Sequence, residues 1–245
     1  MRAGEPLIDG AWIADHLGEI AFRTGQHLGL AAVAVGIGFV IAFALAAWAS
    51  RHRRVLPPLI GLAGVVYTIP SLALFAALVP FTGLSLLTAE IPLVLYTQIL
   101  LLRSISAGFD AMPPEVREAA DALGYSGRQR FIQVQLPIAV PLIVAGLRLA
   151  SVSTIGLVMI VTLIGNNFGG LGLFITEGIA QFFPTKVYVG AGLSVFLAVG
   201  ADLAFVRLER AVAPWAQTGR DAPPAIGSAP GGRPASAAAS SGRGS

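Results

Sequence analysis

The chain has 245 residues, of which 55% are hydrophobic and only 12% are charged, and its mean hydropathy is +0.77. Soluble domains carry about 25% charged residues, so this composition excludes an ordinary soluble protein and indicates a membrane protein. The formal net charge is +3, and the absence of cysteine excludes disulfides, thiolate metal sites and cysteine nucleophiles.

Five apolar segments are candidates for membrane spans. A bilayer core of roughly 30 Å needs about 20 helical residues, a length that residues 28–50 reach without one charge. In chain order the five segments cover residues 28–50, 55–78, 91–106, 138–164 and 187–206. Pro70 lies inside the second segment and predicts a kink or a break there. We therefore expect an all-α, polytopic membrane protein with about five transmembrane helices.

The distribution of arginine predicts the orientation of these spans. Arg51, Arg53 and Arg54 follow the first span directly, and Lys and Arg collect on the cytoplasmic side of membrane proteins. Eight arginines fall on that predicted side, against three basic residues on the other: Arg2, Arg23 and Lys186. The amino terminus is thus expected outside and the carboxyl terminus in the cytoplasm.

The predicted spans divide the chain into three parts. Residues 1–27 form an external amino-terminal segment, and residues 28–210 form the transmembrane domain. Residues 211–245 are predicted to be a disordered cytoplasmic tail, because from Thr218 onward the sequence is rich in Gly, Pro, Ala and Ser and cannot bury much apolar surface.

A polar segment, residues 113–137, interrupts the apolar sequence between the third and fourth spans. Pro113-Pro114 suits a helix start, Gly124 suits a helix end, and Ser126 with Gln129 forms the pattern of a capping box. The pattern predicts one helix over residues 114–123 and a second over 127–135, ending at Leu136-Pro137. Each is shorter than the roughly 12 to 15 residues at which isolated helices become marginally stable. The pair therefore needs a partner surface.

Residues 113–137 have three other interpretations, each with an observation against it. An ordinary solvated loop does not usually carry paired helix caps. A helix lying on lipid favours a Lys/Arg-rich polar face with large apolar residues opposite, whereas the first helix here is rich in acids and alanine. A DNA-binding helix-turn-helix is disfavoured by the mixed charge and by the membrane spans on both sides.

The sequence "EAADALGYSGRQRFIQVQLP" in this segment resembles the EAA loop of binding-protein-dependent ABC importer permeases. Their pattern is E-A-A, three residues, G, and then I-x-L-P, with Val134 here in the isoleucine position. The matching residues are Glu118, Ala119, Ala120, Gly124, Leu136 and Pro137. The resemblance implies a MetI-like ABC permease fold with a cytoplasmic coupling helix pair.

In that family the coupling helices sit in a groove of an ATP-hydrolysing subunit. The resemblance implies that Glu118 makes a polar contact with the ATPase, that Ala119 and Ala120 allow close packing, and that Gly124 allows the turn. It also implies the partners: two cytoplasmic ATPase subunits, a second permease subunit that is identical or homologous, and an external binding protein. No GxxxxGK[ST] phosphate loop occurs, so ATP is expected on a partner, with no cofactor, metal or nucleic acid bound by this chain. The chain is expected to be a transport subunit in a bacterial inner membrane and no enzyme.

Three longer stretches narrow the resemblance to permeases that import osmoprotectants such as glycine betaine, choline or carnitine. They cover residues 67–83, 145–172 and 190–203. One departure lies after the fourth span, where those permeases usually read G-A-G-G-L-G and this chain reads "GNNFGGLG". A permease for another small solute of the amino-acid type remains an alternative.

Two further classes were considered. An ion-coupled secondary transporter would have inverted repeats and ionisable groups near the membrane midplane, which an odd number of spans and an empty midplane disfavour. A membrane-embedded enzyme is disfavoured because the three histidines lie outside the predicted spans: His16, His27 and His52.

Two charged residues lie inside the predicted spans. Arg148 is roughly 24 Å from the outer end of the fourth span, and Asp202 is roughly 22 Å from the outer start of the fifth, so they reach similar depth. Such groups usually pair in the bundle interior, and we take a structural Arg148–Asp202 contact as a hypothesis beside separate snorkelling to the interface. No substrate site is assigned, although four aromatic residues are candidates for lining a passage: Tyr67, Phe75, Phe81 and Tyr96.

Overall fold

The protein is described by a computed structural model that covers residues 7–165 and 168–214. Within these ranges it is helical and contains no strand, which confirms the all-α prediction. The helices are α1 (Gly10–Asp15), α2 (Leu17–Arg51), α3 (Leu56–Thr68), α4 (Ser71–Thr82), α5 (Leu86–Asp110), α6 (Pro114–Ala122), α7 (Gly127–Arg130), α8 (Leu136–Val161), α9 (Gly172–Ala180) and α10 (Pro184–Val212).

Four helices in these ranges are long and apolar enough to cross a membrane: α2, α5, the continuous helix Gly127–Val161, and α10. Counting α3 and α4 together as one bent span makes five. The predicted number of spans is consistent with this range, but their bounds differ. Helix α2 begins at Leu17 instead of residue 28, and α5 begins at Leu86 instead of residue 91. A capping box formed by Ser85 and Thr88 fixes the start of α5.

The second span is broken where the sequence predicted it. The helical stretches on either side of Ile69 and Pro70 are bent by 93°, and both residues have extended ψ angles near 129°. Proline has no backbone N–H to donate and its ring clashes with the preceding turn, so a regular helix ends before it.

The carboxyl ends of α2 and α5 lie together at one end of the bundle. Arg53, just after α2, forms an ion pair of 3.2 Å with Asp110, the last residue of α5. The two long helices therefore run in parallel. The chain between them has to return to the other end, and the bent pair α3–α4 is the segment that makes this crossing.

The opposite end of the bundle is joined by polar contacts. The backbone N–H of Asp9 donates to Thr185 Oγ1 over 2.9 Å, and Lys186 Nζ contacts Glu177 Oε2 at 2.8 Å. Helix α9, which carries Glu177, lies between the predicted fourth and fifth spans and was not among the predicted helices.

Small residues set the closest approaches between the long helices. A Cβ atom at Gly38 of α2 would overlap the Thr97 hydroxyl of α5, and one at Gly146 of α8 would overlap the Ser104 side chain. Such small-residue contacts are typical of helix packing in membranes, where close backbone approach replaces the hydrophobic driving force. Helix α5 is consequently the central element, packed on both α2 and α8.

The predicted tail falls almost wholly outside the described residues. Of residues 211–245, only 211–214 are described, and α10 continues to Val212. Asn166 and Asn167, which carry the departure from the family pattern, and Arg2 also lie outside the described residues.

Candidate functional site

Helix α6 is closed by the glycine that the sequence marked as its cap. Gly124 has a φ of 78°, in the left-handed region that favours glycine. The N–H of Tyr125 donates to the Ala120 carbonyl over 3.1 Å, and the N–H of Gly124 donates to the Asp121 carbonyl over 3.0 Å. These two bonds form a Schellman motif, which satisfies the last carbonyls of α6 and turns the chain toward α7.

Helix α7 starts with the predicted capping box. The Gln129 N–H donates to Ser126 Oγ over 3.3 Å, and the Ser126 N–H donates to Gln129 Oε1 over 2.9 Å. The prediction that this helix ends at Leu136-Pro137 is wrong. The helix continues through a π-helical turn, Phe131–Gln135, into α8. The wider turn accommodates Pro137, which lacks an N–H, without a break in the rod.

The two short helices are joined to each other by an ion pair between Asp121 of α6 and Arg130 of α7. The amino-acid pattern did not indicate this pairing. The other charged residues of the pair form no ion pair within the described part of the chain: Glu115, Arg117, Glu118 and Arg128. These four charges are the ones left on the surface of the pair.

One part of the apolar face of α6 packs against the rest of the chain, and the other part is exposed to solvent. Ala120 is buried against the chain, with 4% of its surface exposed, whereas its neighbour Ala119 is exposed. Leu123 is 75% exposed and Val116 is 37% exposed, and Glu118 is exposed beside them. We call Val116, Glu118, Ala119 and Leu123 the α6 patch. It is a small apolar surface with an acid at its edge.

Two side chains of the π-helical turn, Phe131 and Gln135, attach the helix pair to the bundle. Phe131 lies 5.3 Å from Phe109 of α5 between ring centroids, and Phe109 lies 5.7 Å from Phe43 of α2. Gln135 Nε2 also donates to the Phe109 carbonyl over 2.9 Å. A displacement of α7 therefore acts on α2 and α5 as well as on α8. Leu136 and Pro137, both half-buried, lie in the first turn of α8.

Arg148 of α8 and Asp202 of α10 lie in direct contact. The distance from Arg148 Nε to Asp202 Oδ1 is 2.5 Å, and that from Arg148 Nη2 to Asp202 Oδ2 is 2.9 Å. The guanidinium therefore donates a hydrogen bond to each carboxylate oxygen. A planar, two-armed contact of this kind fixes the relative rotation of two helices as well as their distance.

The break in the second span is held by a tyrosine. The Tyr96 hydroxyl of α5 donates to the carbonyl of Ile69, a backbone oxygen that the broken helix leaves without an intrahelical partner. Tyr67 packs edge-on against Tyr96, with 5.6 Å between ring centroids. Of the other two aromatic candidates, Phe75 is fully buried and Phe81 is 85% exposed, so the structure brings only two of the four together.

No group of three or more His, Cys, Asp or Glu side chains suited to a metal ion occurs in the described ranges. His27 is fully buried, and its Nε2–H donates to the Ile155 carbonyl over 3.0 Å. Beside it, Gln26 Oε1 accepts the Gly170 N–H over 3.3 Å. These contacts tie α2 to α8 and to the loop after it. His27 was expected outside the spans, but because α2 begins at Leu17 it lies within this helix.

Comparison with known proteins adds sequence relatives to this geometry. Residues 29–214 match the family described as "Binding-protein-dependent transport system inner membrane component". The chain is 34% identical over 208 residues to the osmoprotectant import permease protein OsmW of Salmonella typhimurium, covering 83% of this chain and 96% of that protein. It is 30% identical to the glycine betaine/carnitine/choline transport system permease protein OpuCB of Bacillus subtilis, covering 80% and 90% of the two chains.

Solved structures with the same fold are more distant in sequence. An inward-facing methionine ABC transporter, MetNI, aligns with a TM-score of 0.70 at 21% identity, over 79% of this chain and 95% of that one. An amino acid ABC transporter with histidines aligns with a TM-score of 0.66 at 16% identity, over 83% and 98%. At these identities the likeness supports the fold alone.

Proposed function

This chain belongs to the family of binding-protein-dependent transport system inner membrane components, and we propose that it is the permease of an ATP-driven importer for quaternary-ammonium osmoprotectants such as glycine betaine, choline or carnitine. The observation that carries the substrate class is the set of sequence relatives. Those named above are an osmoprotectant permease and a glycine betaine/carnitine/choline permease, and each alignment covers at least four fifths of this chain.

The chain is a transport subunit, and ATP is hydrolysed by a separate subunit of the transporter. We propose that two such ATPase subunits dock on the α6–α7 pair, with Glu118, Ala119, Ala120, Gly124, Leu136 and Pro137 as the coupling residues. Support comes from the exposure of the α6 patch and from the attachment of the pair to α2, α5 and α8. A movement of the ATPase would thereby reach three long helices through one short segment.

We also propose the orientation and the remaining partners. The end of the bundle with Arg53 and the α6–α7 pair faces the cytoplasm, and the end with Thr185 faces outward, in accordance with the positive-inside rule. A second permease subunit completes the pathway, and an external binding protein delivers the substrate. Import of the substrate then requires permease, ATPase and binding-protein subunits together.

Uptake of radiolabelled betaine, choline and carnitine by cells that carry the whole transporter tests this proposal. Replacing Glu118 by Lys should reduce uptake of the transported compound while the permease stays in the membrane. Glu115→Lys, an exposed acid on the same helix outside the α6 patch, is the matched control. Uptake that continued unchanged after loss of the ATPase would contradict an ATP-driven importer. Transport of an amino acid in place of all three compounds would contradict the substrate class.

A further inference from the structure

A polar cavity of about 400 Å³ opens at the Arg53 end of the bundle, between the end of α2, the end of α5 and the α6–α7 pair. Five arginines line it: Arg51, Arg53, Arg117, Arg128 and Arg130. Asp110 is the acid among the lining residues. We call this space the arginine cavity.

The charge of the arginine cavity is only partly balanced within the chain. Arg53 pairs with Asp110, and Arg130 pairs with Asp121. Arg51, Arg117 and Arg128 form no ion pair with any described residue. Three positive charges thus face one space without a counter-charge, which favours binding of an anion with several acceptor oxygens.

An apolar crevice of about 130 Å³ adjoins the arginine cavity and shares Ser50, Arg53 and Asp110 with it. Its other lining residues run into the bundle: Ala46, Ala49, Leu56, Pro57, Ser106 and Phe109. The ligand that fits both spaces has an anionic head and an apolar chain.

Ser106 supplies a second, independent sign of a ligand. It is only 6% exposed, it lines the crevice, and its hydroxyl has no hydrogen-bond partner in the described structure. It lies one helical turn before Asp110, about 6 Å deeper in the bundle. An ester oxygen just below a phosphate would reach that depth, and the hydroxyl could donate to it.

The depth of the cavity matches the surface of a membrane. Trp48, 49% exposed, lies one turn before Arg51, and its ring packs near His52. Tryptophan collects at the level of lipid head groups, and basic pockets at the cytoplasmic ends of spans suit anionic head groups.

We propose that the arginine cavity binds the phosphate of an anionic phospholipid, with one acyl chain in the adjoining crevice. The site goes beyond the proposed transport function, since its ligand is a component of the membrane and no transported solute. Arg51, Arg117 and Arg128 supply the charge, and Ser106 donates a hydrogen bond to the glycerol-ester region.

The test is native mass spectrometry of the purified transporter, with all its subunits, titrated with phosphatidylglycerol or phosphatidylcholine. Arg51→Gln should weaken binding of phosphatidylglycerol about fivefold, the loss typical of one arginine facing anionic lipid, and leave phosphatidylcholine unaffected. Because Arg51 is exposed and forms no ion pair among the described residues, this change breaks no ion pair within them. Arg207→Gln, an exposed arginine near the same end on α10, is the matched control and should have no effect.

Two further arms separate the possible ligands. Ser106→Ala should also weaken phosphatidylglycerol binding, whereas inorganic phosphate alone should not displace the lipid. Displacement by phosphate would show a free-anion site and overturn the lipid proposal. Equal weakening by Arg51→Gln and Arg207→Gln would also overturn it, because binding would then be non-specific. The proposal would also be overturned if Arg51→Gln left lipid binding unchanged but released the ATPase subunit from the purified transporter. The cavity would then belong to the interface between the subunits.

Discussion

Arg148 and Asp202, 54 residues apart in sequence, meet with both arms of the guanidinium on both carboxylate oxygens. The contact joins α8, which continues from the α6–α7 pair, to α10. Arg148 lies about three turns past Pro137, and Asp202 lies about three turns before Val212, by the helical repeat of 3.6 residues. The pair is therefore placed to lock the rotation of α10 relative to α8.

Asp202→Asn is expected to lower the melting temperature of the purified permease, because the Arg148 guanidinium keeps its charge and loses its counter-charge. The charge exchange Arg148→Asp with Asp202→Arg should recover part of that loss. Thermal unfolding in detergent measures both. Glu209→Gln on the same helix, an acid that forms no ion pair in the described ranges, is the control, and an equal fall in that variant would contradict a specific role.

Gly38→Ala is expected to destabilise the bundle by about 1–3 kcal/mol, the cost of overpacking a close contact. The new Cβ would overlap the Thr97 hydroxyl between α2 and α5. Gly36→Ala lies two residues earlier on the same helix and meets no atom within 4 Å, so it should be neutral or slightly stabilising. Chemical unfolding of the two variants compares them, and equal stabilities would show that the close approach is unimportant.

Gly124→Ala is expected to destabilise the α6–α7 turn by about 1 kcal/mol, because alanine is strained at a φ of 78°. Its effect should be seen as slower uptake at normal membrane levels of the permease. Gly127→Ala is a close comparison, since that glycine lies in α7 at an ordinary φ and also has no atom within 4 Å. Should Gly127→Ala impair uptake as strongly, backbone conformation at Gly124 would not be the cause.

Ala119→Leu and Ala120→Leu are expected to impair different properties of the permease, the first its association with the ATPase and the second its stability. Ala119 is exposed, so leucine there should leave the fold intact and reduce recovery of the ATPase with the permease about tenfold. Ala120 is buried against its own chain, so leucine there should destabilise the permease itself by about 1–3 kcal/mol. Co-purification and thermal unfolding separate the two, and identical behaviour would contradict the division of the α6 face.

Tyr96→Phe is expected to cost about 1 kcal/mol, since it leaves the Ile69 carbonyl without its donor at the break between α3 and α4. Tyr188→Phe on α10 is the control, because that side chain is 52% exposed and its hydroxyl makes no hydrogen bond in the described residues. Hydrogen exchange at the amides around Pro70 should rise in the first variant only. Unchanged exchange in Tyr96→Phe would show that other contacts hold the break.

Features encoded locally were predictable from the sequence. The cap at Gly124, the capping box at Ser126 and the break at Pro70 each follow from the conformational limits of one or two residues. The resemblance of residues 118–137 to the EAA pattern indicated the family, and the comparisons confirm it. The number of spans followed from hydropathy and length.

Features that depend on tertiary contact were not predictable. The sequence could not show that Ala120 is buried while Ala119 is exposed, because both lie near the same face of α6. Nor could it show the ion pairs Arg53–Asp110 and Arg130–Asp121, which join residues far apart or on different helices. The prediction of a helix end at Leu136-Pro137 was wrong, since a proline usually marks a helix boundary, whereas here the π-helical turn just before it lets the helix continue.

The unbroken helix Gly127–Val161 has a mechanical meaning. Its 35 residues span about 52 Å, more than the thickness of a bilayer core. If the helix moves as a rigid body, a tilt of about 5° about its Ser126 end displaces the far end by about 4–5 Å, by the same helical length. If an ATPase moves the α6–α7 pair, as proposed, and the Phe131–Phe109 contact near that end acts as the pivot, a small displacement of the pair gives a much larger displacement at the far end.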